Sequence, residues 1–167
     1  PGTGKDRWAR AIAALCNRRT QKDQFVRENC AGIPKEIAES SLFGHEKGAF
    51  TGAAQIKHGP FELAGNGIVF LDELGSLSRE LQQKILSMTE DPWEFKRVGG
   101  EEPLVFQGSL IAALSHVPEK GLDLAFESRF EWFLELPAFR NRTMEHRRLV
   151  FDVLAKKSSI DIPEKLR

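Results

Sequence analysis

The stretch Gly65-Asn66-Gly67-Ile68-Val69-Phe70-Leu71-Asp72-Glu73 decides the fold. Gly-Asn-Gly is a turn. The four apolar residues after it run without the alternation of a half-exposed strand, as expected for a strand buried on both faces of a parallel sheet. Such a strand rigidly positions the residues at its C-terminal end, where open α/β sheets bind ligands. Two carboxylates stand there. Asp72 has the chemistry to hold Mg2+, usually through water, and Glu73 to orient or deprotonate an attacking water. An apolar strand ending in Asp-Glu is a common pattern, so its meaning rests on its neighbours.

Upstream, Pro1-Gly2-Thr3-Gly4-Lys5-Asp6 reads as the second half of a Walker A loop. Its glycines let backbone N–H groups close around phosphates while the lysine neutralises the outer ones. Gly2, Thr3, Gly4, Lys5 and Asp6 are thus the candidate nucleotide-binding residues. The general motif has Ser or Thr where this chain has Asp6, and its first glycine would lie upstream of Pro1. A helix must come after such a loop, and Trp8, Ile12 and Leu15 recur at helical spacing among helix-favouring alanines. Phe25 to Asn29 predicts a short strand, at whose end Asn29 can simply make a turn. Pro34 suits the first turn of a helix with Ile37, Ala38 and Leu42 on one side.

That helix leads into Gly44-His45-Glu46-Lys47-Gly48-Ala49-Phe50-Thr51-Gly52-Ala53, which has neither helical nor alternating periodicity and reads as a loop. Phe50, bracketed by glycines, is either a presented contact or a side chain folded back inside. His58-Gly59-Pro60 is a break and Phe61 to Ala64 looks helical, so the loop is an insertion between two helical pieces. Beyond the carboxylates, Leu77, Leu81, Ile85 and Met88 mark an amphipathic helix that Asp91-Pro92 ends. Trp93 to Val98, Gly99-Gly100 and Leu104 to Phe106 read as a β-hairpin. Its aromatic and basic residues admit nucleic-acid stacking, but a solvated hairpin with one packed face explains them better. Ser109 to Ala113 is read as another buried strand, Trp132 to Leu136 as the last, and Glu145 to Lys157 as a helix.

The chain has 167 residues, enough to bury a core as one domain. Lys+Arg 24 against Asp+Glu 24 leaves no basic excess, which argues against a nucleic-acid surface in this segment. Cys16 and Cys30 lack metal-binding spacing and read as buried thiols in a reducing compartment. With no apolar run of membrane-spanning length and no signal peptide at Pro1, a cytoplasmic location without membrane contact is the default expectation.

Gly48 to Ala53 matches, letter for letter, the signature loop of the bacterial enhancer-binding proteins, the AAA+ ATPases that activate sigma-54 RNA polymerase. The match extends back through Phe43-Gly44-His45-Glu46-Lys47, and the chain resembles that family over nearly its whole length. The family too carries an acidic residue at the position of Asp6, and Gly75 comes after the Walker B carboxylates as it does there. Asn29-Cys30-Ala31 resembles the family's N-C-A segment, Phe95-Lys96-Arg97-Val98-Gly99-Gly100 its second pore-facing hairpin, and Pro137 to Arg142 its L-P-P-L-R-x-R box. The resemblance implies ATP and Mg2+ as cofactors, Asp72 as the metal residue and Glu73 as the catalytic carboxylate. It makes Asn29 a nucleotide switch acting on Glu73, and Gly48, Ala49, Phe50, Thr51, Gly52 and Ala53 the sigma-54 contact, with Phe50 and Thr51 as the residues that touch it. It also implies a homo-oligomer, a hexamer, that reaches DNA only through a domain outside this chain.

Two positions depart from the pattern. Where the family has Thr and then a polar sensor, this chain has Leu114 and Ser115, so sensing falls to Ser115. Of the family's two finger arginines, counting back from Leu136-Pro137 leaves Arg129 in place but puts Asp123 at the other, a carboxylate where positive charge is needed. The expected fold is a three-layer α/β P-loop NTPase (AAA+) core with a mostly parallel sheet. Residues 1–167 would form part of its large subdomain, cut at both ends, with the first strand upstream of Pro1 and the helical lid beyond Arg167. The expected activity is that of an ATPase, impaired to the extent that Leu114 and Asp123 matter. One rival keeps the fold as a degenerate module that binds nucleotide with little hydrolysis and acts in regulation or assembly; another is an unrelated P-loop enzyme with a chance loop match.

Overall fold

A computed structural model of the chain describes residues 3–16, 25–115 and 129–149. They fall into two compact units, residues 3–5 with 134–149 and residues 6–133.

The sheet of the larger unit is parallel and three-stranded among the described residues, in the order β1 (Phe25–Asn29), β4 (Ile68–Asp72), β7 (Ser109–Ala112). Register runs from Phe25 opposite Ile68 to Asn29 opposite Asp72, and from Ile68 opposite Ser109 to Leu71 opposite Ala112. Ile68, Val69, Phe70 and Leu71 are all buried, which is why the run shows no alternation. Successive side chains leave a strand on opposite faces. Val69 and Leu71 accordingly join one core cluster, while Phe70 stacks on Phe25 at 6.0 Å. Helix α1 (Lys5–Cys16) covers the Phe25 face, with the Arg10 guanidinium 5.0 Å over that ring. The cluster on the other face draws on α2 (Ala38–Phe43), α3 (Pro60–Ala64) and α4 (Arg79–Met88). Helix, sheet and helix make the three layers of a P-loop α/β core.

Aromatic packing holds the second layer together. Phe61 lies 5.7 Å from Phe43, 5.8 Å from Phe95 and 5.5 Å from Phe106, so α2, α3 and the hairpin β5 (Glu94–Phe95) and β6 (Leu104–Val105) share one contact centre. Ser78 caps α4 by accepting from Leu81 N–H, and the stripe Leu77, Leu81, Ile85, Met88 faces this cluster.

Three expectations change. The helix after Pro34 begins as a 3-10 turn, Lys35–Ile37, and only then becomes α2. The tighter turn shifts the phase of the first residues, so Ile37 is 45% exposed while Ala38 and Leu42 are buried. The inserted loop stands on a two-stranded ladder, β2 (Gly44–His45) with β3 (Lys57–His58), where a Cβ at Gly44 would collide with the Lys57 carbonyl oxygen. Residues 132–138 form no strand, and Trp132 is 87% exposed. Among the described residues the ladder ends at β7, which is half-buried rather than enclosed, and a backbone segment without a partner is not a strand. The part of the expected last helix beyond residue 149 lies outside the described residues.

If Phe61 is the contact centre, Phe61→Ala should cost about 3–5 kcal/mol in urea unfolding, against within about 0.5 kcal/mol for Ile37→Ser. Equal costs at the two positions would contradict this packing.

Candidate nucleotide site and output loop

Asp72 emerges from the end of β4 with its side chain only 13% exposed and accepts from Arg27 Nη2 at 2.8 Å. Arg27 also lies 3.3 Å from Asp6 Oδ1, and Arg10 Nε donates to Asp6 Oδ2 at 3.1 Å. The hydrogen bond to Asp72 is the main cause that raises the Arg27 pKa above its ordinary value. Sequence reasoning assigned Arg27 no role; it is the cation that the register of β1 on β4 brings beside Asp72.

Glu73 turns away from the strand direction in a left-handed conformation, φ 56°, a backbone state that costs a non-glycine residue about 1–3 kcal/mol. The turn delivers its carboxylate to Ser115, whose Oγ donates to Oε1 and whose N–H donates to Oε2 at 3.2 Å. Backbone bonds from Leu74 N to Ala113 O (3.0 Å) and Ala113 N to Leu71 O (2.9 Å) fix the β4 and β7 ends beside each other. Leu114, the apolar departure, packs against the core cluster. Asn29 Oδ1 accepts from Ala31 N–H at 3.2 Å, ending β1 and opening the 3-10 turn Cys30–Gly32. Its side chain makes the turn, and Ser115 donates twice to the Glu73 carboxylate. Cys30 is buried, and burial foremost pushes its thiol up to about 12, so it is an inert packing residue.

Arg129 Nη2 donates to Glu90 Oε1 at 2.7 Å on the surface of the larger unit, and Asp123 and Gly2 lie outside the described residues. In the smaller unit, Gly4 takes φ 82°, and the Thr3 carbonyl accepts from Arg142 Nη2 while Arg142 Nε donates to Pro137 O at 3.1 Å. This phosphate-loop segment is thus tied to the Pro137 to Arg142 box. Lys5 opens α1, with Asp6 in its first turn. No group of three or more His, Cys, Asp or Glu side chains able to hold a metal is found among the described residues.

The inserted loop is closed on itself by Gly48 N–H to Ala53 O at 2.8 Å and Ala53 N–H to Phe50 O at 3.0 Å, with Gly48 and Gly52 at φ 82° and 102°. Phe50 is 43% exposed, its ring meets that of His45 edge-on with centroids 4.9 Å apart, and it is not part of the core cluster. Thr51 and Gly52 are exposed beside it, whereas Ala53 is buried.

The foot of the loop is held by the β5–β6 hairpin. Glu46 N–H donates to Val98 O and Val98 N–H to Gly44 O, both at 3.0 Å, and a Cβ at Gly99 would lie 2.7 Å from that of Ala49. Arg97 Nε donates to Glu62 Oε2 at 2.9 Å, Nη2 to Glu62 Oε1 and Nη1 to Glu46 Oε1. Glu62 also meets His58 Nδ1. Arg97 is only 17% exposed at its side chain and shares the packed face of the hairpin arm with buried Phe95, while Glu94 and Lys96 are exposed, as the reading of one packed face expects. Its hydrogen bonds are the leading cause that lowers the Glu62 pKa, and Glu62 in turn raises that of Arg97.

A family description of the sigma-54 interaction domain matches residues 1–131. The chain belongs to the sigma-54 interaction domain family. It is 47% identical over 112 residues to the Nif-specific regulatory protein of Rhodobacter capsulatus, covering 67% of this chain and 19% of that protein. It is 46% identical over 112 residues to the regulatory protein AtoC of Escherichia coli, covering 67% and 24%, and 44% identical over 147 residues to the DNA-binding transcriptional activator HyfR of the same organism, covering 84% and 22%. The chain thus spans about a fifth of the length of these curated relatives. Among solved structures, NtrX of Brucella abortus in complex with ADP superposes with a TM-score of 0.76 at 30% identity, covering 96% of this chain and 36% of NtrX; its ATP complex gives 0.75. The sigma-54 interaction domain is an AAA+ P-loop fold of transcriptional activators, and the layered parallel sheet of this chain is that fold. No described helix is long and apolar enough to cross a membrane.

Arg97→Met should deprive Glu46 of its guanidinium and leave Glu62 with His58 alone, lowering stability at pH 7 by about 1–3 kcal/mol. Because Glu62 has its pKa lowered in the folded state, its pairing contributes fully above the ordinary carboxylate range and is lost as pH falls through the lowered value. The urea-midpoint gap between wild type and Arg97→Met should therefore shrink in acid; a gap independent of pH would mean that Arg97 acts through packing alone.

Proposed function

We propose that this domain hydrolyses ATP within a ring, a hexamer of this chain, and uses the cycle to drive the Gly48–Ala53 loop against sigma-54 RNA polymerase. The observation that carries the proposal is the continuous path from Glu73 to Phe50. Glu73 is held by Ser115 at the end of β7, the chain preceding β7 is the hairpin, and the hairpin grips the loop foot through Arg97 and Val98. A change in how Glu73 is held has a packed, hydrogen-bonded route to the loop.

Gly2, Thr3 and Gly4 would close backbone N–H groups around the phosphates, with Lys5 neutralising their outer charge. Asp72 fits Mg2+, an ion that is bound by one or two carboxylates and keeps its other positions for water and phosphate oxygens; Asp6 is a second carboxylate on the same guanidinium. When bound, Mg2+ supplies charge neutralisation for the transferred phosphoryl group. Glu73 orients or deprotonates the attacking water, and Ser115 fixes the position of its carboxylate. Arg129 would exchange Glu90 for a neighbouring subunit's nucleotide, as a finger does. DNA would be reached only through a domain outside this chain, in the cytoplasm. A second reading, a degenerate module that binds nucleotide with little hydrolysis, is favoured by Leu114, whose place in the core leaves Ser115 alone as sensor.

Two variants of the full-length protein test the reading, through ATP turnover and through capture of sigma-54 in the presence of a transition-state mimic of ATP. Phe50→Ala should lose capture while keeping ATPase rate and melting temperature, since Phe50 lies outside the core. Glu73→Gln should bind ATP but not turn it over. Undiminished capture by Phe50→Ala would sink the output role, and absence of wild-type turnover in an assembled ring would favour the degenerate reading.

A further inference from the structure

Beside Asp72 stands a charge, Arg27, to which the proposed phosphoryl transfer gives no role. Arg27 Nη2 donates to Asp72 Oδ2 at 2.8 Å, and Arg27 Nε stands 3.3 Å from Asp6 Oδ1. That oxygen is buried and accepts no hydrogen bond, so the ion pair is its compensation. Register makes the arrangement obligatory: Asn29 lies opposite Asp72, and Arg27, two residues earlier, shares the same face of β1. Two carboxylates converge on one guanidinium, a group that cannot be neutralised by deprotonation and whose fork suits two acceptors at once.

A divalent cation carried by Asp72 needs the same carboxylate. We propose that Arg27 is a built-in counter-ion that competes with the divalent cation for Asp72, so that metal loading requires the Arg27–Asp72 pair to open. This inference rests on the reading of Asp72 as the metal carboxylate. Opening would leave Arg27 with Asp6, so the exchange gives up one ion pair without burying an unpaired charge. The consequence is a site that admits metal less readily than its carboxylates alone would.

The test is the metal's contribution to nucleotide affinity, read as the ratio of the dissociation constants of a fluorescent ADP analogue in EDTA and in Mg2+, on the full-length protein. Arg27→Ala and the closer replacement Arg27→Gln should raise this ratio by about tenfold, the effect of removing one competing unit charge at contact distance. If Arg27 instead touched the nucleotide, both constants would worsen together and the ratio would stay put, which overturns the proposal; so does a lower ratio. Asp72→Asn separates the two levels. Collapse of the ratio towards one in Asp72→Asn with no rise in either Arg27 variant removes the proposal and keeps Asp72 as the metal residue. A wild-type ratio in Asp72→Asn removes both.

Discussion

The burial of β4 on both faces is the constraint on which everything else depends. Four consecutive side chains shielded from water, each contributing about 1.5–3 kcal/mol, leave this strand no freedom to shift or rotate. The residues at its end are placed by the core, not by a loop. Asp72 and Glu73 then leave the strand in different directions, Asp72 towards β1 and Arg27, Glu73 through a left-handed residue towards β7 and Ser115. Two adjacent carboxylates thereby acquire separate surroundings.

The same core ties the end of β4 to the inserted loop. Phe61 packs on α2 and the hairpin together, while one residue on, in α3, Glu62 takes the guanidinium that also holds Glu46 at the loop foot. Loop, hairpin and helix are thus joined by apolar contact beneath and by an ion-pair cluster above. The Phe50 ring is partly exposed and meets His45 edge-on, outside that packed cluster.

Local pattern controls what was legible in the sequence. The unbroken run of β4, the stripe of α4, the hairpin turn and the glycine-bracketed loop each state their own geometry within about ten residues. Ile37 is misplaced when a helical period is applied across a 3-10 turn, and the β2–β3 ladder is invisible because two residues per strand carry no period. The site residues absent from the sequence reading share one cause. Arg27 and Asp72 are 45 residues apart and Arg97 and Glu46 are 51 apart, and nothing in a charged residue names a distant partner. Asn29 makes the strand-ending turn that its place after Phe25 to Glu28 suggests. Trp132 to Leu136 has the composition of a strand, yet composition supplies no ladder partner.

In the proposed cycle, nucleotide state reaches the loop through Arg97. Its most direct test is the distance distribution between spin labels at Thr51 and at Ser87 of α4, in the full-length protein without nucleotide and with a transition-state mimic of ATP. A shift on adding the mimic in wild type that vanishes in Arg97→Met is the predicted result. The same shift in both proteins, or none in wild type, would contradict it.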